Sequence, residues 1–101
     1  MGTDIVTNHV ADTAPHILLV EDERKLAQVL CEYLMQSGFE VTMLEDGLAV
    51  EPWMQSHQPQ LVILDVMLPG KDGLTLLQQI RRTSLVPIML TTARIEEIDR
   101  L

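Results

Sequence analysis

The 101-residue chain is short of cysteine, of basic residues and of long apolar runs, and each shortage excludes a class of protein. Its single cysteine, Cys31, excludes a disulfide framework or a cysteine-rich zinc site and is typical of a reducing cytoplasm. Seven Lys and Arg residues against fifteen Asp and Glu give a formal net charge of −8, which argues against a nucleic-acid or anionic membrane partner. The longest apolar runs are about four residues, far short of a membrane span.

Enough apolar residues remain for one small packed domain. Hydrophobic residues make up 47% of the chain, which excludes wholesale disorder. Residues 1–15 are rich in Thr, Asp, Asn and Ala, so we expect a disordered tail followed by a domain over 16–101.

From residue 16 onward, short apolar runs alternate with helical patterns. Continuous runs such as ILLV at 17–20 and LVIL at 61–64 are typical of strands buried on both faces of a sheet. Four strands are predicted, at 17–20, 39–44, 61–64 and 87–90.

The first helix has an apolar stripe and ends at Gly38; the stripe consists of Leu26, Val29, Leu30, Tyr33 and Leu34. Further helices are predicted at 48–58, with Pro52 in its first turn, from the cap Asp72 to Thr83, and from Ile95 onward. The alternation predicts an α/β open parallel sheet with helices on both faces.

Acidic residues follow two of these strands. Glu21 and Asp22 come directly after the first strand and Asp65 after the third. If the two strands are neighbours, the carboxylates meet beyond the carboxyl ends of the strands, where such sheets bind ligands. Clustered carboxylates repel one another unless a cation neutralises them, and oxygen ligands in an open cleft favour Mg²⁺. An Asp beside Mg²⁺ can accept a phosphoryl group, and the hydroxyl of Thr92 could donate to a phosphoryl oxygen.

Three strings at the predicted strand ends resemble the response-regulator receiver domain. They are ILLVEDE at 17–23, LDVMLPG at 64–70 and PIMLTTA at 87–93. The VEDE form and the Asp72-Gly73 pair are similar to the OmpR/PhoB subfamily of transcription regulators, and residues 92–101 resemble its envelope-stress type, which is paired with a sensor histidine kinase.

The resemblance, which covers 16–101, implies a flavodoxin-like strand order of 2-1-3-4-5 and a role for each site residue. Asp65 would be the phosphorylated residue, and Thr92 would contact the phosphoryl group and trigger the switch. Asp22 and Asp65 would bind Mg²⁺ through their side chains, Glu21 would assist through water, and the backbone carbonyl of Met67 would be the third protein ligand.

The chain departs from the family in its number of β/α units. The family has five, whereas this sequence has four and the start of a helix, so we expect a truncated receiver without the fifth strand, its phosphate-contacting lysine, the last helix and the DNA-binding domain. The lost lysine predicts weak or no stable phosphorylation. We expect the surfaces that the fifth strand and the last helix would cover to be exposed. This exposure predicts self-association or a domain swap, through a surface other than the usual dimer face of the subfamily.

Two other functions stay open. A Mg²⁺-dependent phosphatase with an aspartyl-phosphate intermediate would commonly place a second Asp two residues after the nucleophile, where this chain has Met67. A truncated receiver could also act as an interaction module without being phosphorylated. Of these three functions, we expect a signalling module of the cytoplasm and not an enzyme.

Overall fold

The computed structural model describes residues 14–68 and 71–91, which form a four-stranded parallel sheet with helices on both faces. The strands are β1 His16–Val20, β2 Glu40–Leu44, β3 Leu61–Asp65 and β4 Ile88–Thr91. The helices are α1 Arg24–Gln36, α2 Val50–Met54 and α3 Gly73–Thr83, and a 3₁₀ turn at Gly47–Ala49 leads into α2.

The strand order β2-β1-β3-β4 confirms the predicted open parallel sheet. β1 and β3 lie side by side in parallel, with Val20 opposite Leu64 at their carboxyl ends. β4 pairs with β3, so that Thr91 lies opposite Asp65. The three strand ends that the sequence marks as chemically important therefore lie next to one another.

Two apolar layers hold the sheet between its helices. The layer under α2 and α3 is built on Leu18, Val20, Val50, Val62, Leu64, Leu68, Leu76 and Ile80. The layer under α1 is built on Ile17, Leu19, Ala27 and Ile63. Successive strand residues point to opposite faces, so each continuous apolar run supplies both layers.

The predicted apolar stripe of α1 is wrong at two positions. Val29 and Tyr33 are 63% and 67% exposed, whereas Ala27 is buried. Leu30, Cys31 and Leu34 pack with Ala27 against the sheet. The packed face includes a small residue, which a stripe drawn through large apolar side chains misses.

Helix α2 is shorter than the predicted 48–58, although Pro52 does lie in its first turn. Two groups lie within hydrogen-bond distance of the carbonyl oxygen of Trp53 at the end of the helix. The amide of Ser56 donates to it at 3.2 Å, and Nδ1 of His57 lies 2.9 Å from it. These local hydrogen bonds end the helix early.

Several expectations fall on residues outside the described part of the chain. They concern most of the N-terminal tail, Thr92 and the helix from Ile95. Within 14–68 and 71–91, no helix is long and apolar enough to cross a membrane.

Candidate metal and phosphoryl-acceptor site

Three carboxylates meet at the carboxyl end of the sheet. Glu21 and Asp22 follow β1 directly, and Asp65 is the last residue of β3. Each offers an oxygen atom, and these atoms all lie within 4.8 Å of one another. Glu21 and Asp65 are each only 4% exposed, whereas Asp22 is open to solvent. The juxtaposition that the strand pattern predicted is therefore present.

Glu21 is held by backbone hydrogen bonds on both sides. Its amide donates to the carbonyl oxygen of Leu44 at 3.0 Å, which extends the ladder between β1 and β2 by one residue. Its Oε2 accepts the amide of Glu23 at 3.1 Å. This second contact could not be found from the sequence, because Glu23 contributes a backbone group rather than its side chain.

Asp65 is fixed by the turn that follows it. Its Oδ1 accepts the amide of Met67 at 3.0 Å. The amide of Val66 donates to the carbonyl oxygen of Thr91 at 3.0 Å, which ties the start of the turn to β4. The turn therefore brings the backbone of Met67 next to the Asp65 side chain, while the Met67 side chain is 48% exposed.

No basic side chain in the described residues forms an ion pair with the three carboxylates. Arg24 pairs with Glu45 at 2.8 Å on the surface, and this is the one ion pair within 14–68 and 71–91. Nζ of Lys71 donates to Oε1 of Gln79 at 2.9 Å, which directs it along α3. No ion pair in this part of the chain thus offsets the buried negative charge.

Burial, and after it the neighbouring carboxylates, change the protonation of Glu21. Burial, together with the charge of Asp65 and a hydrogen bond to it that only the protonated form can donate, raises the pKa of Glu21 from 4.5 to about 7. The Glu23 amide acts in the opposite direction, since it stabilises the carboxylate. Near neutral pH, Glu21 is thus divided between its protonated and ionised forms.

The donor set fits a hard divalent cation. All three side chains offer oxygen, which Mg²⁺ prefers over nitrogen or sulfur. Asp22 faces solvent, which leaves room for the waters that Mg²⁺ usually keeps. A cation here would also remove the repulsion between Glu21 and Asp65.

A parallel sheet of this order with an acidic cluster at the ends of β1 and β3 defines a class of signalling domain. The family model of the response regulator receiver domain matches residues 17–101, and the chain belongs to this family. Its curated relatives are transcriptional and sensory regulators, which confirms the predicted resemblance to the OmpR/PhoB type of transcription regulator.

The relatives include the transcriptional regulatory protein BaeR of Escherichia coli O6:H1, 49% identical over 91% of this chain and 38% of that protein. The sensory transduction protein RegX3 of Mycobacterium bovis is 41% identical over 84% of this chain and 37% of its own length. The chain therefore spans less than two fifths of the length of these regulators.

Solved structures agree with the fold. The receiver domain of Klebsiella pneumoniae RstA, activated with BeF3, has a TM-score of 0.74 at 34% identity, over 82% of this chain and 74% of that one. The response regulator TrrA of Thermotoga maritima, in complex with Mg²⁺ and BeF, has a TM-score of 0.76 at 33% identity, over 86% of this chain and 76% of that one.

Proposed function

We propose that this chain is the phosphoacceptor receiver module of a two-component transcriptional regulator, and that a sensor histidine kinase phosphorylates it on Asp65. The observation that carries the proposal is the meeting of Glu21, Asp22 and Asp65 at neighbouring strand ends. Family membership supports it, because receiver domains are signalling modules.

Each residue of the site has a role in this proposal. Asp22 and Asp65 hold Mg²⁺ through their side chains, Glu21 assists through water, and the Met67 carbonyl completes the protein ligands. The ion, when bound, neutralises the phosphoryl oxygens and the carboxylates. The complex of TrrA with Mg²⁺ and BeF supports this assignment by likeness.

The Asp65 carboxylate is the nucleophile. Because Oδ1 accepts the Met67 amide, we assign the attack to Oδ2. The new bond joins Oδ2 to phosphorus, and the bond between phosphorus and the donor nitrogen or oxygen breaks, so that the donor leaves with the electron pair. Thr92, the residue after the one that pairs with Asp65, contacts the phosphoryl group and starts the conformational switch.

The remaining assignments concern the whole regulator. DNA binding belongs to a part of the protein other than this chain, whose net charge of −8 opposes contact with phosphates. We place the regulator in the cytoplasm, on the strength of its family and its single cysteine.

Intact-mass spectrometry after incubation with MgCl₂ and acetyl phosphate tests the proposal. In keeping with the expectation of weak or no stable phosphorylation, we expect a small and short-lived gain of one phosphoryl group. This gain is lost with EDTA or in Asp65→Asn and kept in the control Asp46→Asn, where the changed residue only caps the 3₁₀ turn. An acid quench keeps a short-lived acyl phosphate visible. Binding of Mg²⁺ without any gain in mass would favour the interaction module, and turnover of added phosphate esters would favour the phosphatase.

A further inference from the structure

Gly73, the first residue of α3, packs directly on the backbone that carries Asp65. A β-carbon built on Gly73 would lie 2.6 Å from Cα of Val66 and 2.7 Å from the carbonyl oxygen of Asp65. Ordinary contact begins near 3.4 Å, so a methyl group would force a shift of about 0.8 Å. Both neighbouring atoms are backbone atoms, which cannot rotate away as a side chain would.

The requirement for glycine at this position is one of space. Gly38 is the described glycine with a positive φ, at 97°, and Gly73 has a backbone conformation that any residue can adopt. The Gly73 amide also donates to the carbonyl oxygen of Val66 at 3.2 Å. Helix α3 therefore begins in backbone-to-backbone contact with the end of β3.

The elements on both sides of this contact are held in place. Asp65 pairs with Thr91, and the Val66 amide donates to the same residue. On the helix side, Leu76 and Ile80 are buried in the core. The two hydrogen bonds that Asp72 accepts from Thr75 also fix the first turn of α3, and they lower the pKa of Asp72.

The part of the backbone that can yield to a larger side chain is the turn that follows Val66, where the side chain of Met67 is 48% exposed. The same turn supplies the amide that holds Oδ1 of Asp65. A shift of the turn would therefore pass directly to the carboxylate.

We propose that Gly73 is a positioning residue for the acidic site: its missing side chain lets α3 lie against the Asp65–Val66 backbone, and this contact sets the geometry in which Asp65 and Met67 face a divalent cation. The inference rests on the proposed function of the site as a Mg²⁺ site. Gly73 thus determines the positions of the ligand atoms, although it contacts neither the ion nor the phosphoryl group.

The test compares Gly73→Ala with Gly38→Ala by calorimetric titration of Mg²⁺. Gly38 is the control, because alanine is strained at its φ of 97°, while a β-carbon there meets no atom within 4 Å and so disturbs neither α3 nor Asp65. We expect Gly73→Ala to weaken Mg²⁺ binding about tenfold or more, as loss of a group that orients a metal ligand does, and Gly38→Ala to change it less than about twofold.

An affinity for Gly73→Ala within about twofold of wild type, or an equal loss in both variants, would overturn the inference. If the wild-type chain binds no Mg²⁺, the proposed function itself fails and the inference falls with it. If the wild type binds Mg²⁺ and the two variants behave alike, only the role of Gly73 fails.

Hydrogen exchange of the wild-type chain decides the matter if Gly73→Ala does not fold. Coupling between two sites is reciprocal, so Mg²⁺ must strengthen the α3 contact if the contact strengthens Mg²⁺ binding. We expect Mg²⁺ to slow exchange of the Gly73 amide several-fold and to leave the Ala49 amide, which bonds to Asp46, unchanged. Equal effects on the two amides would contradict the proposal.

Discussion

Glu21 is the residue whose protonation links the acidic site to the stability of the chain. Its pKa is raised to about 7 in the folded state, first by burial and then by Asp65. An unfolded chain ionises the same residue near 4.5. The folded state therefore holds an extra proton between these two pH values, and the free energy of unfolding must fall as pH rises through that window.

We predict that the metal-free chain loses roughly 2–3 kcal/mol of Glu21-dependent stability between pH 4.5 and pH 7. Urea unfolding in EDTA at pH 5 and pH 8 measures it, with Glu21→Gln as the variant that cannot ionise. Glu32→Gln, on the exposed face of α1, is the matched control and should retain the wild-type dependence. The same pH slope in Glu21→Gln and wild type would show that Glu21 does not titrate as described.

At the scale of single residues, the sequence predicts the carboxylates but not their contacts. Glu21, Asp22 and Asp65 could be found because each comes at the end of an apolar run, and the ends of neighbouring parallel strands must meet. The hydrogen bond from the Glu23 amide and the packing of Gly73 could not be found in this way. Both depend on backbone atoms whose positions are set only once the helices have packed.

Among the elements, the strands are predictable and the helix faces are less so. A continuous apolar run in a short segment has few alternatives to a buried strand. Helix α1, by contrast, lies on its sheet through Ala27, which contributes too little to a hydropathy pattern to mark the packed face. The end of α2 depends on hydrogen bonds from Ser56 and His57 to one carbonyl, which the apolar pattern does not report.

The packed face of α1 predicts effects of different size for two substitutions. Ala27→Leu forces a larger side chain between the helix and the sheet, and we expect it to lower the free energy of unfolding by about 1–3 kcal/mol. Val29→Ala removes methyl groups from a side chain that is 63% exposed, and should change it by less than about 0.5 kcal/mol. Urea unfolding of both variants measures these effects. A larger loss of unfolding free energy in Val29→Ala than in Ala27→Leu would show that α1 packs through the apolar stripe predicted from the sequence.

For the molecule as a whole, the sheet edge at β4 carries apolar surface. Met89 and Leu90 are 53% and 40% exposed, and within the described residues β4 pairs with β3 alone. An apolar strand with a free edge is a site for association between copies. Self-association of the chain remains a prediction, and these two residues are where we expect it to act.

A light-scattering series over protein concentration tests that prediction. We expect the mass to rise above that of one chain as concentration increases, and Met89→Lys to shift the rise to higher concentration. Met35→Lys is the control, because Met35 is 58% exposed but lies on α1. A single-chain mass at every concentration would refute self-association, and equal effects of the two variants would assign it to another surface.

The central claim is that Glu21, Asp22 and Asp65 surround one divalent cation at the carboxyl end of the sheet. The most direct measurement is the anomalous diffraction of a crystal of this chain grown with MnCl₂, since Mn²⁺ takes the same oxygen ligands as Mg²⁺. The account predicts one strong peak within bonding distance of Asp22, Asp65 and the carbonyl oxygen of Met67, with Glu21 linked to the ion through a water molecule. A peak elsewhere, or no peak between these carboxylates at a saturating concentration of the ion, would contradict it.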